Sequence, residues 1–457
     1  MNETSREAAV STVPVEKKGE ATDDAEEEYD PFIHRPYIQE QLNTDFAVFM
    51  HLLKAAIGSG ILFLPQAFRR TGYVASFVCS VIIGAICIHT AVLTVQCSQV
   101  LCKRSRVPML DFASTADTAF QLGPEKFRKY ATTFNLVTNI FVCFVQYQTT
   151  VIYALYVATS IEQVIEHFSG VSLDIRVYLV LFLPIYLGLS LVPNLKYLVP
   201  ITIMGSIFLA GGIFVSIYYF FSDFPSPARL RQFTDVYSTS VYCSIFMFAV
   251  HNMSILMPLE NTMKNPANMP SILGFGMALN VVVYVFFGFL GYNKYMDACD
   301  TVIKNLPLEE IPAQLVKVAI AVSVMFTYGL QYFIPISIIW PMIAEKYHKG
   351  YAHELAFRLG GVLISTLMAI AVPQMASLLG LFSALNISTV MLLIPVMIET
   401  ATKWERENSF QRKCLLVKNV SISVLWMFLM VSGAIESLKD IIETFRGTTE
   451  KESEICN

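Results

Sequence analysis

Apolar runs long enough to cross a membrane alternate with short polar segments over most of this chain. A helix needs about 20 apolar residues to cross roughly 30 Å of hydrocarbon. Eleven runs meet this requirement, and we number them spans 1 to 11: about 46–67, 73–99, 131–160, 176–194, 197–221, 237–258, 270–292, 313–341, 354–372, 375–398 and 417–437. The pattern predicts an all-α polytopic membrane protein in a lipid bilayer.

The composition supports this class. The chain is 54% hydrophobic and 15% charged, with a mean hydropathy of +0.54, outside the range of soluble globular domains. Residues 1–44 precede the first run and include an acidic cluster at 23–28, which predicts a disordered tail. We therefore divide the chain into a tail (1–44), a membrane domain (45–438) and a short C-terminal tail (439–457).

Lys and Arg residues set the predicted orientation. Most of those in the loops lie on the same side as the N-terminal tail, and cytosolic loops are the ones that collect these residues. The N-terminus is thus predicted to face the cytosol and the C-terminal tail the opposite side. On that opposite side, Cys299 and Cys456 are the only pair of cysteines that could oxidise, and no metal site or other cofactor is predicted.

Span 1 contains the sequence HLLKAAIGSGILFLP, residues 51–65. Pro65 has no amide hydrogen and would free the carbonyl of Ile61, while Gly58 and Gly60 can adopt backbone angles that other residues avoid. Broken backbone in a membrane is tolerated only against protein or a water-lined cavity. Amides of Ser59, Gly60 and Ile61, at the start of the following half-helix, would suit a carboxylate. The alternative is a groove where small residues let two helices pack closely.

Span 6 repeats this arrangement in HNMSILMPLEN, residues 251–261. Asn252 and Ser254 are followed by Pro258, which would free the Ser254 carbonyl for an ammonium group. Breaks in the first and sixth spans are typical of an inverted repeat of five plus five helices, with span 11 added. Together the two breaks could hold a zwitterion.

His51, Lys54 and Gly58 are spaced to share one face of a helix, which we predict looks into the protein. Histidine changes charge near neutral pH, so His51 is the candidate for a proton-coupling group. The alternative for His51 is a histidine that packs in the protein with its ring hydrogen-bonded. The alternative for Lys54 is a lysine whose side chain reaches back to the membrane surface.

Spans 3 and 8, third in each repeat, carry further polar clusters that could line a pocket or join neighbouring helices. Glu260, at the predicted cytosolic end of span 6, is interpreted as a solvated or gate-forming carboxylate outside the binding site. The clusters comprise Gln146, Tyr147, Gln148, Thr149 and Thr150 in span 3, and Thr327, Tyr328, Gln331 and Tyr332 in span 8.

Several motifs in order resemble the proton-coupled amino acid transporters of the amino acid/auxin permease group. Besides residues 51–65, the resemblance rests on four segments: 95–124, PLENTMKNP at 258–266, FTYGLQYFIPISIIWP at 326–341 and AIAVPQMASLLGLFSALN at 369–386. It implies that spans 1 and 6 are unwound at mid-membrane and that small neutral amino acids move with protons into the cytosol. By position, Gly58, Ser59 and Gly60 would bind the carboxylate, His51 would be linked to protons, and Tyr328 and Gln331 would face the site.

The chain departs from the family pattern in span 6. Members usually have Phe-Glu-Gly-x-Gly where this chain has residues 250–254, Val-His-Asn-Met-Ser. A histidine replaces a carboxylate that can hold a proton, and two larger side chains replace glycines. The substrate and the coupling to protons are therefore left open by the resemblance.

Three function classes follow. The first is a secondary active transporter, with proton symport as its expected mechanism, that works by alternating access. The second is an amino acid sensor that transports weakly and signals to a growth pathway. The third is a membrane enzyme, which the sequence does not support because it shows no metal-ligand spacing and no nucleophile beside a base. No nucleic acid partner is expected. A YDPF sequence at 29–32 has the form of a sorting signal, which leaves the plasma membrane and the lysosome both open.

Overall fold

The computed structural model describes residues 29–35, 42–56, 58–192, 195–222, 224–347 and 350–446, and those residues form helices without any β-strand. The helices are α1 (Asp45–Ala56), α2 (Leu64–Thr71), α3 (Tyr73–Ser105), α4 (Phe112–Gln121), α5 (Glu125–Arg128), α6 (Ala131–Ser169), α7 (Ile175–Ser190), α8 (Leu195–Phe221), α9 (Val236–Val250), α10 (Met253–Asn261), α11 (Met269–Lys294), α12 (Ile311–Tyr347), α13 (Tyr351–Ala371), α14 (Met375–Phe382), α15 (Ile394–Lys403) and α16 (Ser409–Phe445).

The predicted spans are confirmed. Within the described ranges, 10 helices or helix pairs are long and apolar enough to cross a membrane, and α7 is a shorter apolar helix at the place of span 4. Spans 1, 6 and 10 each consist of two helices, namely α1 with α2, α9 with α10, and α14 with α15. The last helix, α16, continues to Phe445, beyond the predicted end of span 11.

Span 1 is broken where the glycines predict it. Helix α1 ends at Ala56, and Gly58 has an extended backbone with φ −104° and ψ −177°. A single 3₁₀ turn, Ser59–Phe63, then leads into α2. The whole turn is buried, so the irregular backbone lies against protein, as a membrane requires.

Span 6 is broken at the corresponding place. Helix α9 ends at Val250, His251 is extended with φ −68° and ψ 124°, and α10 begins at Met253. Asn252 is the residue before α10, and its side chain does not cap that helix. The unwinding of spans 1 and 6 that the sequence predicts is therefore present.

Pro65 acts differently from the prediction, whereas Pro258 removes the amide that would bond the Ser254 carbonyl, as predicted. Pro65 lies in the first turn of α2, where a missing amide costs no hydrogen bond, and the Ile61 carbonyl accepts from the Leu64 amide. Pro258 lies inside α10, past the break, rather than at it. The breaks are formed by the residues before each proline.

The inner helices surround the two breaks. The long helices α6 and α12 pack against each other, α12 also packs against α8, and α11 packs against α1, α2 and α3. Helix α9 packs on α2, α3 and the 3₁₀ turn of span 1, while α16 lies against its outer side. Spans 1 and 6 thus contact each other and helices from both groups of five spans.

The predicted extracellular end is held by backbone hydrogen bonds between distant segments. The amide of Tyr73 donates to the Arg231 carbonyl at 3.0 Å, and the amide of Thr234 donates to the Thr71 carbonyl at 3.1 Å. Gly72, between them, has φ 90° and ψ 152°, a combination that essentially only glycine adopts. A Cβ on Gly72 would lie 2.7 Å from the backbone of Gln232.

Cys299 lies at this same end and is disulfide-bonded. Seven other cysteines of the described ranges are free, and Cys456, the predicted partner, lies outside the described residues.

Gly72→Ala should destabilise the fold. The added methyl group forces a strained backbone angle, which costs about 1–3 kcal/mol, and also meets the backbone of Gln232. Thermal unfolding of the purified protein should show a lower midpoint than the wild type. Gly211→Ala is the control, because a Cβ there meets no atom within 4 Å. Equal midpoints for Gly72→Ala and Gly211→Ala would contradict the close packing of the two segments.

Candidate functional site

The two breaks lie side by side. A Cβ on Gly60 would lie 2.8 Å from the Cα of Ala249, so the turn of span 1 meets the end of α9 backbone to backbone. Just beyond, the ring of Phe63 packs edge-on against Phe248, with 6.3 Å between centroids. The missing side chain at Gly60 is what allows this approach.

Polar side chains from three other helices surround the turn. The hydroxyl of Tyr153 in α6 faces Ser59 and Gln331, and Gln331 belongs to α12. The hydroxyl of Tyr284 in α11 faces the backbone of Gly58. Ser59 and Gln331, both predicted from the sequence, are therefore brought together, whereas Tyr153 and Tyr284 were not predicted.

Several polar atoms at the breaks are buried without a hydrogen-bond partner. They include the Ser59 hydroxyl, the Tyr284 hydroxyl, His251 Nδ1 and Asn252 Oδ1. Buried polar groups are almost always hydrogen-bonded, so each of these atoms requires a partner. Donors and acceptors gathered around two helix ends are suited to a small polar ligand.

The ends of the half-helices supply opposite partial charges. The turn that begins at Ser59 directs the positive end of a helix toward the break, and α9 ends there with its negative end. One of the three predicted free amides is in use, because the Ile61 amide donates to the Gly58 carbonyl at 3.4 Å. The amides of Ser59 and Gly60 are the ones that follow the break directly.

Span 10 adds an irregular wall to the site that the sequence did not predict. Between α14 and α15 the chain forms two π-helical turns, Ser383–Ile387 and Thr389–Leu393, and the first packs against α9. Its Asn386 donates to Gln148 of α6 at 2.6 Å, while the Ser383 hydroxyl is buried without a partner. Short π-helical turns are frequent at functional sites.

Two residues predicted for the site have other surroundings. Tyr328 is fully buried, stacks on Tyr186 at 4.4 Å and shares a 3.0 Å hydrogen bond with Ser365, so its visible contacts join α7, α12 and α13. Ser254 lies in the first turn of α10 and is half-buried. Of the two, only Ser254 adjoins a break in the chain.

The face of α1 that carries His51 and Lys54 is not packed. Both side chains are exposed, and the buried face of this helix is formed by Val48 and Leu52. The prediction that this face looks into the protein is therefore wrong for this structure. Helix α1 packs against α11 through its apolar residues instead.

Glu260 is not solvated, in contrast to one of the two interpretations from the sequence. Arg35 donates to both of its carboxylate oxygens at 2.9 Å and to its carbonyl at 2.7 Å. The two side chains are only 4% and 3% exposed. Gln99 of α3 also donates to the carboxylate, at 3.1 Å, and Arg35 reaches the Pro108 carbonyl. The segment before span 1 is thereby fastened to the end of α10.

A second connection lies beside this ion pair. The Asn43 amide donates to the Thr262 carbonyl at 2.8 Å, and the Lys264 amide donates to the Asn43 carbonyl at 2.9 Å. The predicted cytosolic ends of spans 1 and 6 are therefore linked directly.

Comparison with known families decides what this site belongs to. The family model described as "Transmembrane amino acid transporter protein" matches residues 44–438. The chain belongs to this family. Two relatives agree with this assignment, and both are described as amino acid transporters, as the sequence analysis predicts, rather than as enzymes.

The first relative is the Drosophila melanogaster "Proton-coupled amino acid transporter-like protein pathetic". It is 34% identical over 427 residues, which cover 92% of this chain and 89% of the relative. The second is the Arabidopsis thaliana "Amino acid transporter AVT3C", 24% identical over 424 residues, or 88% of this chain and 92% of the relative.

The fold of this transporter family member is also found among solved structures. The inward-facing conformation of Mhp1 superimposes with a TM-score of 0.57 at 14% identity, over 92% of this chain and 95% of that chain. At such identity the likeness concerns the fold alone, and it agrees with the inverted repeat predicted from the two breaks.

Gly60→Ala should strongly reduce amino acid uptake by the protein that reaches the cell surface. The methyl group would push the turn of span 1 away from Ala249 and so separate the two breaks. We expect amino acid uptake to fall by roughly tenfold or more at unchanged surface expression. Gly274→Ala is the control, since its Cβ would make an ordinary 3.8 Å contact. Normal uptake by Gly60→Ala would show that the close approach is not needed.

Arg35→Ala should lower thermal stability strongly, because it leaves a buried carboxylate without its cation. Removing one partner of a buried ion pair costs about 3–5 kcal/mol, and the double variant Arg35→Ala/Glu260→Ala should recover part of that loss. Arg176→Ala is the control, since its ion pair with Asp174 is more than half exposed and worth about 0–1 kcal/mol. The assignment fails if Arg35→Ala and Arg176→Ala unfold at the same temperature.

Proposed function

We propose that this protein is a secondary active transporter that carries small neutral amino acids into the cytosol by alternating access, with protons as the coupling ion. The observation that supports the proposal most is the meeting of two broken helices at Gly60 and Ala249. Such a meeting offers both partial charges that a zwitterion needs, at the depth where transporters of this architecture bind substrate.

The substrate carboxylate is assigned to the amides of Ser59 and Gly60 and to the Ser59 hydroxyl. These groups lie at the positive end of the turn that precedes α2. The Tyr153 and Gln331 side chains lie beside Ser59 and can donate further hydrogen bonds to the same group. An anion held in this way is neutralised without a buried cationic side chain.

The substrate ammonium group is assigned to the end of α9. Carbonyls of the last turn of a helix point away from it and have no partner within the helix. Asn252 Oδ1 is buried beside them without a partner and can accept from the same ammonium. Ser254, in the next turn, is placed to contact a ligand that extends toward α10.

The site favours small substrates. Gly60 touches the backbone of Ala249, and Asn252 is only 4% exposed, so the space between the breaks is narrow. The family usually has glycine where this chain has Asn252 and Ser254, which makes the passage narrower still. Alanine, glycine and proline are the substrates to test first.

Proton coupling is assigned to His51. It lies on α1 before the break in span 1, and its exposed side chain can exchange protons with water. His251 is a second candidate, because it forms part of the break in span 6 and its Nδ1 is buried without a partner. The Drosophila relative is named a proton-coupled amino acid transporter-like protein, which supports this part of the proposal.

A sensor with weak transport is the second candidate. It is favoured by the side chains of His251 and Asn252, which occupy the break in span 6 and would slow passage of a bound solute. Appreciable binding of alanine with negligible uptake would select the sensor, whereas turnover at the rate of ordinary carriers would remove it.

The membrane in which the protein works is proposed to be the plasma membrane, the lysosomal membrane or both, with the N-terminus in the cytosol. The YDPF sequence belongs to a locally folded segment, in which Tyr29 stacks on His34 at 4.7 Å and Phe32 lies beneath the Arg35 guanidinium at 5.2 Å. Arg35 joins this segment to Glu260. A fluorescent fusion in insect cells, compared with a lysosomal marker, locates the protein.

Uptake of labelled alanine in oocytes should be several-fold faster at pH 5.5 than at pH 7.5, because protons enter with the substrate. His51→Ala should lose this acceleration and retain uptake at pH 7.5. The matched control is His353→Ala, another exposed histidine at the predicted cytosolic end, which should keep the wild-type response.

Equal uptake at both pH values with normal alanine turnover would reject proton coupling and leave amino acid transport standing. No uptake and no substrate-induced current with alanine, glycine or proline at pH 5.5 would reject the transporter itself.

A further inference from the structure

A cavity of about 800 Å³ lies at the predicted cytosolic end, away from the breaks. It is formed by the end of α3, the end of α15 with the residues after it, and the segment that contains Tyr29 and Phe32. Its volume is in the range of ligand pockets, about 300–1,000 Å³. Nothing in the proposed transport cycle uses it.

Four cationic side chains line this cavity on two sides. Lys103 and Arg104 come from the last turn of α3, and Lys403 and Arg406 come from the end of α15 and the turn that follows. Only Asp30 and Glu407 among the lining residues carry negative charge, so the cavity has a net positive charge. Lys and Arg residues are common at helix ends and in cytosolic loops. That preference alone does not explain why four of them line one cavity between two helices.

Two of these cations, Arg104 and Arg406, lie next to each other. Arg104 donates through Nη1 to the Thr402 carbonyl at 2.8 Å, while its Nε is buried without a hydrogen-bond partner. Arg406 is exposed and lies close enough to Arg104 for the two guanidinium groups to repel each other, while the nearby Glu405 carboxylate offsets part of this repulsion. Lys403 forms an ion pair with Glu399 at 2.9 Å. An anion between Arg104 and Arg406 would remove the repulsion and supply the missing acceptor.

The remaining lining points to a phosphorylated ligand. The Tyr29 side chain brings a hydroxyl group, and Arg and Lys together are the groups that proteins use for phosphate. Phe32, Val100 and Cys97 give the same cavity an apolar part that could contact a glycerol or acyl chain. Basic pockets between membrane helices on the cytosolic side are known to bind lipid head groups of this kind.

We propose that this cavity binds a phosphomonoester-bearing anion, such as the phosphorylated inositol head group of a lipid or the same group free in the cytosol. Because the segment 29–32 forms one wall and is fastened through Arg35 to Glu260, an occupied cavity would also hold this segment against α10. The ligand thus stabilises the linkage between the N-terminal segment and span 6.

The test measures thermal unfolding of the purified full chain. Inositol 1,4,5-trisphosphate in detergent is the soluble probe, and nanodiscs with phosphatidylinositol 4,5-bisphosphate, compared with phosphatidylserine at equal charge, are the lipid probe. We expect the unfolding midpoint to rise by several degrees with at least one probe. A shift with the soluble probe alone identifies a free phosphate, and a shift with the inositol lipid but not with phosphatidylserine identifies a membrane lipid.

The variant Lys103→Gln/Arg406→Gln should lose the shift, each midpoint being compared with that of the same variant without ligand. Lys126→Gln/Lys129→Gln, which removes two exposed cations of the same side that do not line the cavity, should keep it. Arg406→Gln alone should reduce the shift by at least half. This single variant replaces the double variant in the test if the double variant does not fold. Equal shifts in the cavity and control variants, or no shift with either probe, would overturn the proposal. Either result would leave amino acid uptake untouched.

Discussion

Backbone polar groups in the middle of a membrane must find partners, and this constraint governs the structure. Spans 1 and 6 both interrupt their helices, and both interruptions are buried against other helices rather than exposed to lipid. Gly60 lets the two interruptions touch at Ala249. Each interruption loses helical hydrogen bonds, and this loss is offset only if protein groups or a bound solute bond to the freed backbone groups. The unpartnered polar atoms of Ser59 and Asn252 indicate a solute.

The two ends of the molecule are held by contacts of different kinds. At the predicted extracellular end, backbone hydrogen bonds join Tyr73 to Arg231 and Thr234 to Thr71. At the predicted cytosolic end, a buried ion pair joins Arg35 to Glu260, and the basic cavity lies behind it. Alternating access requires such contacts to form and separate in turn while the site between them stays intact. The contacts at the cytosolic end depend on charge, so they can respond to a charged ligand.

The spans and both breaks could be predicted because they leave local signals: apolar runs of membrane length, and glycine, asparagine and proline within them. Features made by tertiary contact left no such signal. Burial of Glu260 depends on Arg35, which is more than 200 positions away, and Tyr284 reaches Gly58 from an otherwise ordinary apolar helix. The prediction that Pro65 frees the Ile61 carbonyl is wrong, because Pro65 lies at the start of α2, where a missing amide matters little. The π-helical turns of span 10, the first of which packs against α9, have no marker in the sequence.

A cryo-electron microscopy structure of the full chain with saturating alanine tests the central claim most directly. The account predicts density for alanine between the breaks, with its carboxylate at the amides of Ser59 and Gly60 and its ammonium group at the end of α9 beside Asn252. Continuous helices through spans 1 and 6, or alanine bound elsewhere with the breaks empty, would contradict it.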